Sequence, residues 1–597
     1  MKKVFFKLIL LGGLLTGHTP IFSQSLPQRL VPLSDPVYAL LDYYELAGYT
    51  GYLPQAKPYT RQMVHNYLLG VMADEYLPEQ EKIIIRRLMD DLQQETRALV
   101  VKRADDGTPA VLGVAAQAGV RAGAGEGSSW STVNIAEPFI TGSLGSHISY
   151  LAGIGLSVER HAPDIFFQSY VKNGQVHFPN HDVGYSWHPY QFQYPTMWNH
   201  VRTSVTTGGG PPVQEALTAG MLYHAELSGS WLSNRLQLHL HNHYRSWGYR
   251  SANLFLSERA RRFPGLDLIL TPTSWLRYSW VTGTLFAYAN QSPAYKADLY
   301  GYDLGHPQKM FSLHQLEITL TPKLQATLLG GNIWSKRFEP AYLMPFVLPH
   351  LAQIEVGDHD NLSIGASLAW LCSCSGKFHV SLFVDEFSFL DEGNLLRMPR
   401  NRYAWQAGWS RQVPPALLPM TTFDLTLTRV GPFVYTHYPE TEFVPYGGGR
   451  PVDLTYTHDE FNLGFYLPPN SGELQLKLTN LAIPDLLLTL DNKFIAHGTN
   501  DLAGDPYQIF GDVYRHQYGP VGQYPLMDFT KDGIYDYTWM SELKFDKRIH
   551  DAGLVESFRL VGTLGFSRTW WRSHQSGVAA PGSRNLLTGS LSVLIAI

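Results

Sequence analysis

From about residue 106 onward, apolar and polar residues alternate with a period of two, the spacing of a strand with one greasy and one wet face. In the stretch 235–243, Leu236, Leu238 and Leu240 share one face, while Arg235, Gln237, His239, His241 and His243 share the other. The same division sets Gln315, Glu317 and Thr319 against Leu316, Ile318 and Leu320, and Glu473, Gln475 and Lys477 against Leu474, Leu476 and Leu478. It recurs at Phe558, Leu560, Leu564 and Phe566 opposite Arg559, Thr563 and Ser567, and again from Leu587 to Ile597, where the sequence stops inside a strand. Before residue 106 the period is helical. Ser34-Asp35 offers a cap with Pro36 in the first helical position, and Val37, Leu40, Leu41 and Tyr44 follow at helical spacing up to Gly48. Thr60 predicts the start of a second helix over 61–73, and Pro78 a third with Ile83, Ile84, Leu88 and Leu92 on one stripe.

The first residues read as export. Lys2 and Lys3 precede an apolar run that ends near Ser23 and Gln24, which predicts a cleaved signal peptide over 1–24, a helical bundle over 25–105 and a strand-rich body over 106–597. After the leader no stretch of about 18 apolar residues could cross a bilayer as a helix. An alternating body either forms a soluble sandwich or crosses a membrane as a barrel, since strands of about 10 residues escape hydropathy scanning. Loops such as 166–198 and 435–456 are long and aromatic. Aromatics also gather near strand ends (Tyr278, Trp280, Tyr403, Trp405, Trp409, Trp539, Trp570, Trp571), where membrane interfaces would lie. The body has room for on the order of 16 to 20 strands. The expected fold is therefore mainly β: a large transmembrane antiparallel β-barrel with a small N-terminal helical bundle.

Composition agrees. Aromatic residues make 13% of the chain and charged ones only 16%, below the roughly 25% usual for a soluble domain. Two cysteines in 597 residues exclude a disulfide-stapled scaffold, and a net charge of −5 argues against nucleic acid as a partner. Cys372 and Cys374 leave a strained local disulfide or two thiols both open.

Three constellations could carry chemistry. Arg245, Arg250, Arg259, Arg261 and Arg262 form the densest basic patch, with Trp247 and Tyr249 beside them. Guanidinium forks suit the carboxylates of an acidic polysaccharide and rings suit a sugar face, while pairing to the barrel's own acids, such as Glu317 or Asp385, is the plain alternative. Asp385 and Glu386 could act as glycosidase carboxylates, but they point to opposite faces of a regular strand, so a lumen contact or an arginine pair is the simpler role. His239, His241 and His243 have spacing compatible with a metal, yet a polar lumen lining that includes Arg235, Gln237, Gln315 and Glu317 explains the alternation without one. No metal, cofactor or catalysis is expected.

The run Arg245-Ser246-Trp247-Gly248, followed by 253–260 and by Arg262-Phe263-Pro264-Gly265, resembles the signature of the Wzi-type capsule assembly family, in which a Trp-Gly turn leads into a strand of the form Leu-x-Leu-Ser. Pro345 with 356–361, the acidic strand 383–387 with 402–408, and the opening 31–38 resemble further elements of that family. Arg261 departs from its pattern, and the loops from Pro163 match nothing in it. The resemblance implies an outer-membrane barrel of about 18 strands in a Gram-negative bacterium, with the bundle at its periplasmic mouth. It implies a non-catalytic, lectin-like monomer that retains capsular or other exopolysaccharide, sits in outer-membrane lipid and is inserted by the barrel assembly machinery. Ligand contacts would fall on Arg245, Trp247, Tyr249, Arg250, Arg259, Arg262, Asp385 and Glu386. The rival expectation is a porin or channel for small anions or sugars.

Overall fold

The structure is a computed structural model that describes residues 27–93, 99–103, 109–125, 128–161, 170–172, 175–177, 216–286, 308–335, 338–357, 360–372, 376–386, 401–437, 440–441, 451–452, 454–458, 461–467, 469–499, 534–552, 555–574 and 582–596. The predicted leader, Cys374 and most of the loop 166–198 lie outside these residues.

Alternation builds one closed antiparallel wall of 18 strands. In chain order they are β1 (Pro109–Ala124), β2 (Ser128–Leu144), β3 (Ile148–His161), β4 (Ala216–Trp231), β5 (Leu236–His241), β6 (Gly265–Thr273), β7 (Leu276–Phe286), β8 (Gln308–Thr321) and β9 (Leu324–Ser335). The other half is β10 (Asp360–Cys372), β11 (Gly376–Glu386), β12 (Arg402–Gln412), β13 (Thr421–Val430), β14 (Ser471–Asn480), β15 (Leu486–Thr499), β16 (Ile534–Ala552), β17 (Val555–Ser573) and β18 (Ser583–Ala596). Each strand pairs with its neighbours in sequence, and β18 returns to β1 through pairs such as Leu591 with Val120 and Val593 with Ala118. Closure pairs the strands around the whole ring, and where the short β5 ends, Asn242 takes up the backbone of Tyr223 and Ala225 on β4.

The wall is inside out. Leu238, Leu240, Leu328, Ile364, Val380, Leu543 and Leu564 are exposed on its outer face, whereas Gln237, His239, Ser279, Gln315, Ser367, Ser381 and Thr428 are buried within it. An apolar exterior around a polar interior is the pattern of a protein whose outer solvent is hydrocarbon. Near the short-turn end, Trp370, Phe378, Trp409 and Phe423 form a row with ring centroids 6.0, 6.0 and 5.5 Å apart, and Phe494, Tyr537 and Trp570 cluster toward the other end. Tyr278 and Trp280 correct the aromatic expectation. Both point outward, but residues 338–357, which carry the short helices α4 (Pro340–Leu343) and α5 (Pro349–Val356), cover them. Phe346 stacks on Tyr278 at 4.4 Å. Beneath this cover Tyr278 bonds His314 at 2.8 Å, and Trp280 Nε1 donates to Ser312 at 2.9 Å, so polar atoms on the outer wall are kept from lipid.

Connections at one end are short: 145–147, 232–235, 274–275, 322–323 and 481–485. Arg235 lies in one of these turns and is exposed, not lumen-lining, because Leu232, Ser233 and Asn234 turn at positive φ and the strand begins only at Leu236.

The bundle sits at this end. Its helices, numbered with the labels α1 (Val37–Ala47), α2 (Arg61–Met72) and α3 (Glu79–Gln93), precede α4 in the chain. Thr60 Oγ1 accepts from Met63 N at 3.2 Å, and Gly48, at φ 84°, ends α1 with its N–H on Glu45 O, as their residue types predict. Pro36 takes the cap position and α1 begins at Val37, one residue later than expected, with Asp35 Oδ1 accepting from Val37 N at 3.0 Å. On α3 the buried stripe is Ile84, Ile85, Leu88, Met89 and Leu92, while Ile83 is exposed, since the turn faces the barrel rim one residue later than assumed.

Two segments join bundle to wall. Residues 28–36 cross beneath the barrel: Arg29 pairs with Glu226 at 3.3 Å and Gln28 N donates to Ser149 at one side, and Asp35 faces Arg548 at 3.9 Å while Ser34 O accepts from Arg559 at the other. The segment after α1 enters the lumen. Tyr52 donates to Lys323 O at 2.8 Å and Ala369 O at 3.0 Å, Gln55 bonds Glu317 and Thr327, and Ala56–Lys57 pairs with Ser246–Trp247.

Val380 lies at mid-strand on the outer face, so Val380→Arg is expected to cost about 2–4 kcal/mol in denaturant unfolding from lipid vesicles. A loss below about 0.5 kcal/mol would show that this face does not meet hydrocarbon.

Candidate functional site

The lumen is filled from within. β5 is only six residues long, so the chain leaves the wall early, and Asn242 fixes the exit: its Oδ1 accepts from Ala225 N at 3.0 Å and its Nδ2 donates to Tyr223 O at 2.9 Å. Residues 242–264 then fold inward as a plug. Arg245 ties both ends of that plug together. Its Nε lies 3.0 and 3.1 Å from the Asp267 carboxylate, and the other nitrogens donate to Phe263 O at 2.9 Å, His241 O at 3.2 Å and Gly265 O at 3.3 Å. The guanidinium also stacks over Phe263 at 4.5 Å and is 2% exposed.

The plug turns at Asn253. Its Oδ1 accepts from Phe255 N and Leu256 N, and its Nδ2 donates to Leu256 O. A Cβ on Gly248 would come within 2.8 Å of Asn253, so the Trp-Gly pair is a packing requirement. Trp247, Leu254, Phe255 and Leu256 form one core with Phe263, Phe311, Phe383, Tyr435 and Tyr456. Leu254 to Leu256 is thus plug core joined by a single bridge to Trp247, where the resemblance implied a strand. The loop 435–456 is likewise corrected: its ends fold into the lumen, where Tyr435 donates to Leu254 O and Tyr456 to Phe255 O, each at 2.9 Å.

The other nominated residues lie around this core. Tyr249 donates to Gln325 Oε1 at 3.0 Å and Arg250 pairs with Asp424. Arg262 is buried, and its carbonyl lies 3.1 Å from His458 Nε2. Arg259, half-buried, lies over the Tyr466 ring at 5.8 Å, in a group with Glu473 and Lys493, where Lys493 Nζ donates to Tyr466 at 3.0 Å. Asp385 and Glu386 do not behave as a regular strand pair. The register shifts between Val384 and Glu386, and this bulge lets both carboxylates approach Arg402, while Asp385 Oδ2 also accepts from Tyr435 N at 2.8 Å.

Gln237, His239, His241, Gln315 and Glu317 all face inward. His243 lies just past the end of β5. The histidines do not converge: His241 bonds Asp267 at 2.9 Å, His243 bonds Glu226 at 2.8 Å, and His239 faces Gln237 at 3.3 Å. Asp267, Asp424 and Glu226 are the partners that sequence reasoning missed. Asp267 carried a signal, since it is the wet-face residue between Leu266 and Leu268. Chemically the arrangement binds the plug's own backbone and pairs its arginines with acids of the wall.

Removing one member of the buried Arg245 and Asp267 pair leaves the other charge stranded. Arg245→Ala is expected to cost about 3–5 kcal/mol, and Arg245→Met with Asp267→Leu to recover most of that, measured as thermal unfolding of the folded barrel. Equal stability of Arg245→Ala and the parent would remove the pair from the scaffold.

No family model matches the sequence, and no curated protein matches it. Among solved structures the chain is similar to Wzi from Escherichia coli, an outer membrane protein involved in group 1 capsule assembly that is described as a carbohydrate-binding β-barrel: 11% identity over 95% of this chain and 99% of that one, with a TM-score of 0.49. It is also similar to OccK7 of Pseudomonas aeruginosa, at 10% identity, 83% and 99% coverage and a TM-score of 0.39, and to OprD of the same organism, at 10%, 84% and 98%, and 0.36. At such identities these are likenesses between barrels, and they assign neither ligand nor activity to this chain.

Proposed function

We propose that this chain is an outer-membrane protein that binds and retains exported polysaccharide, capsular or otherwise, at the cell surface, and performs no chemistry on it. The observation that carries this reading is the packed interior: the plug, the ends of the loop 435–456 and the segment around Ala56 fill one side of the lumen with the chain's own residues. A barrel stoppered by its own chain has its working surface at its outer mouth. The resemblance of 245–265 to the capsule assembly signature supports the same reading. Among the nominated residues, Arg259 beside Tyr466 is the best disposed for a sugar acid, through a charged hydrogen bond next to a ring; Asp385 and Glu386 would act by ordering Arg402 at the long-loop end, and Arg245, Trp247, Tyr249, Arg250 and Arg262 by holding the plug in place. The protein would work as a monomer in outer-membrane lipid.

A channel is the second reading, favoured by one feature. The inward residues of β1 and β18 opposite the plug are mostly small, among them Ala115, Gly119, Ser590 and Ser592, and only half-buried. Solute could pass along that wall once the strap 28–36 moved aside.

Vesicles carrying the purified protein should sediment an acidic exported polysaccharide that protein-free vesicles leave in solution, with no new reducing ends, and Arg259→Ala should weaken retention about tenfold. Retention no better than in protein-free vesicles would refute the proposal, and release of reducing ends would make the protein an enzyme.

A further inference from the structure

Where the bundle meets the rim below β14 to β17, three elements bring metal-ligating atoms together. Asp91 comes from the last turn of α3, Asp485 from the turn between β14 and β15, and His550 from the end of β16, and one ligand atom from each lies within 4.8 Å of the others. Two observations separate this group from an ordinary ion-pair cluster. First, Asp485 Oδ1 and His550 Nε2 are buried atoms without a hydrogen-bond partner, although the Asp485 side chain is only 5% exposed. Second, these two atoms stand 3.5 Å apart, long for a hydrogen bond but close to the ligand-to-ligand edge of about 3.4 Å around a tetrahedral ion with bonds of 2.0–2.1 Å.

The surroundings supply support and charge. Arg87 Nη1 holds the second oxygen of Asp485 at 2.5 Å, which fixes the carboxylate with Oδ1 turned toward His550, as an outer-shell partner of a ligating carboxylate does. Asp485 adopts φ 62°, a left-handed conformation that aspartate tolerates. Arg548 pairs with Asp91 and also faces Asp35 at 3.9 Å, to which it can shift when an ion takes the Asp91 oxygen. Across the seam the carboxylates of Asp35, Asp91, Asp485 and Asp546 face the guanidiniums of Arg87, Arg548 and Arg559, and Lys547 Nζ donates to Pro484 O at 3.0 Å beside them.

We propose that Asp91, Asp485 and His550 form a divalent-cation site, suited to zinc by its mixed imidazole and carboxylate donors, that fastens the helical bundle to the barrel rim. The ion joins one residue of the bundle to two of the wall. It therefore acts first on the attachment of the bundle, and on the plug only through the pairing of Ala56–Lys57 with Ser246–Trp247.

The test uses the full-length protein in detergent, stripped with a chelator and titrated with zinc chloride. The expected result is one zinc per chain by elemental analysis, slower hydrogen exchange of the amides of α1 to α3 on zinc addition, and at least tenfold weaker binding in both His550→Ala and Asp485→Asn. His550→Cys, which restores a zinc donor, is expected to retain the ion and shows that loss in the alanine variant is not misfolding. No zinc on the intact protein, zinc that survives both substitutions, or zinc that leaves bundle exchange unchanged would each overturn the proposal.

Discussion

Everything in this molecule follows from a wall whose backbone must pair entirely within itself. In hydrocarbon an unpaired N–H or C=O costs several kcal/mol, so the sheet closes and each strand carries apolar residues outward at every second position. The same period then places Gln237, His239, Gln315, Glu317 and Glu473 inside, where they are buried. A polar lining buried away from bulk water needs partners, and the chain supplies them from its own loops. The plug 242–264 and the segment around Gln55 answer that need, with Arg245 on Asp267, Arg250 on Asp424 and Gln55 on Glu317.

The plug is held in two ways. Polar residues fix its ends: Asn242 staples the exit from β5, and Arg245 clamps that exit to the return at Phe263 and Gly265. Aromatic packing fixes its middle, where Phe255 and Trp247 sit among Phe383, Tyr435 and Tyr456, and the tyrosine hydroxyls reach plug carbonyls. The bundle adds a third contact through the short pairing of Ala56 and Lys57 with Ser246 and Trp247. Bundle, plug and wall are therefore one packed unit, and release of the bundle would disturb the plug.

The wall was largely legible because lipid imposes the period-two pattern so strictly. At 235–243 or 315–320 a single register satisfies every residue, and inward and outward faces can be read directly. Helix ends were legible where one residue carries the geometry, as at Thr60 and Gly48. What could not be read depends on contacts across long sequence distances. Nothing local shows that Arg250 finds Asp424 or that Arg29 finds Glu226, since those pairs form only once the loops fold into the lumen. Asp385 and Glu386 form the expected arginine pair, with Arg402, but not on opposite faces, because a bulge breaks the alternation there. Tyr278 and Trp280 looked like interface aromatics because the outer cover, residues 338–357, has no periodic signature.

The central claim is that the interior is closed by the chain itself. Single-channel recording of the intact protein in a planar bilayer tests it most directly. A filled lumen predicts an insulating protein, silent across the usual range of voltage until residues 27–93 are removed. Steady conductance through the intact protein would contradict the account and make the wall opposite the plug a solute path.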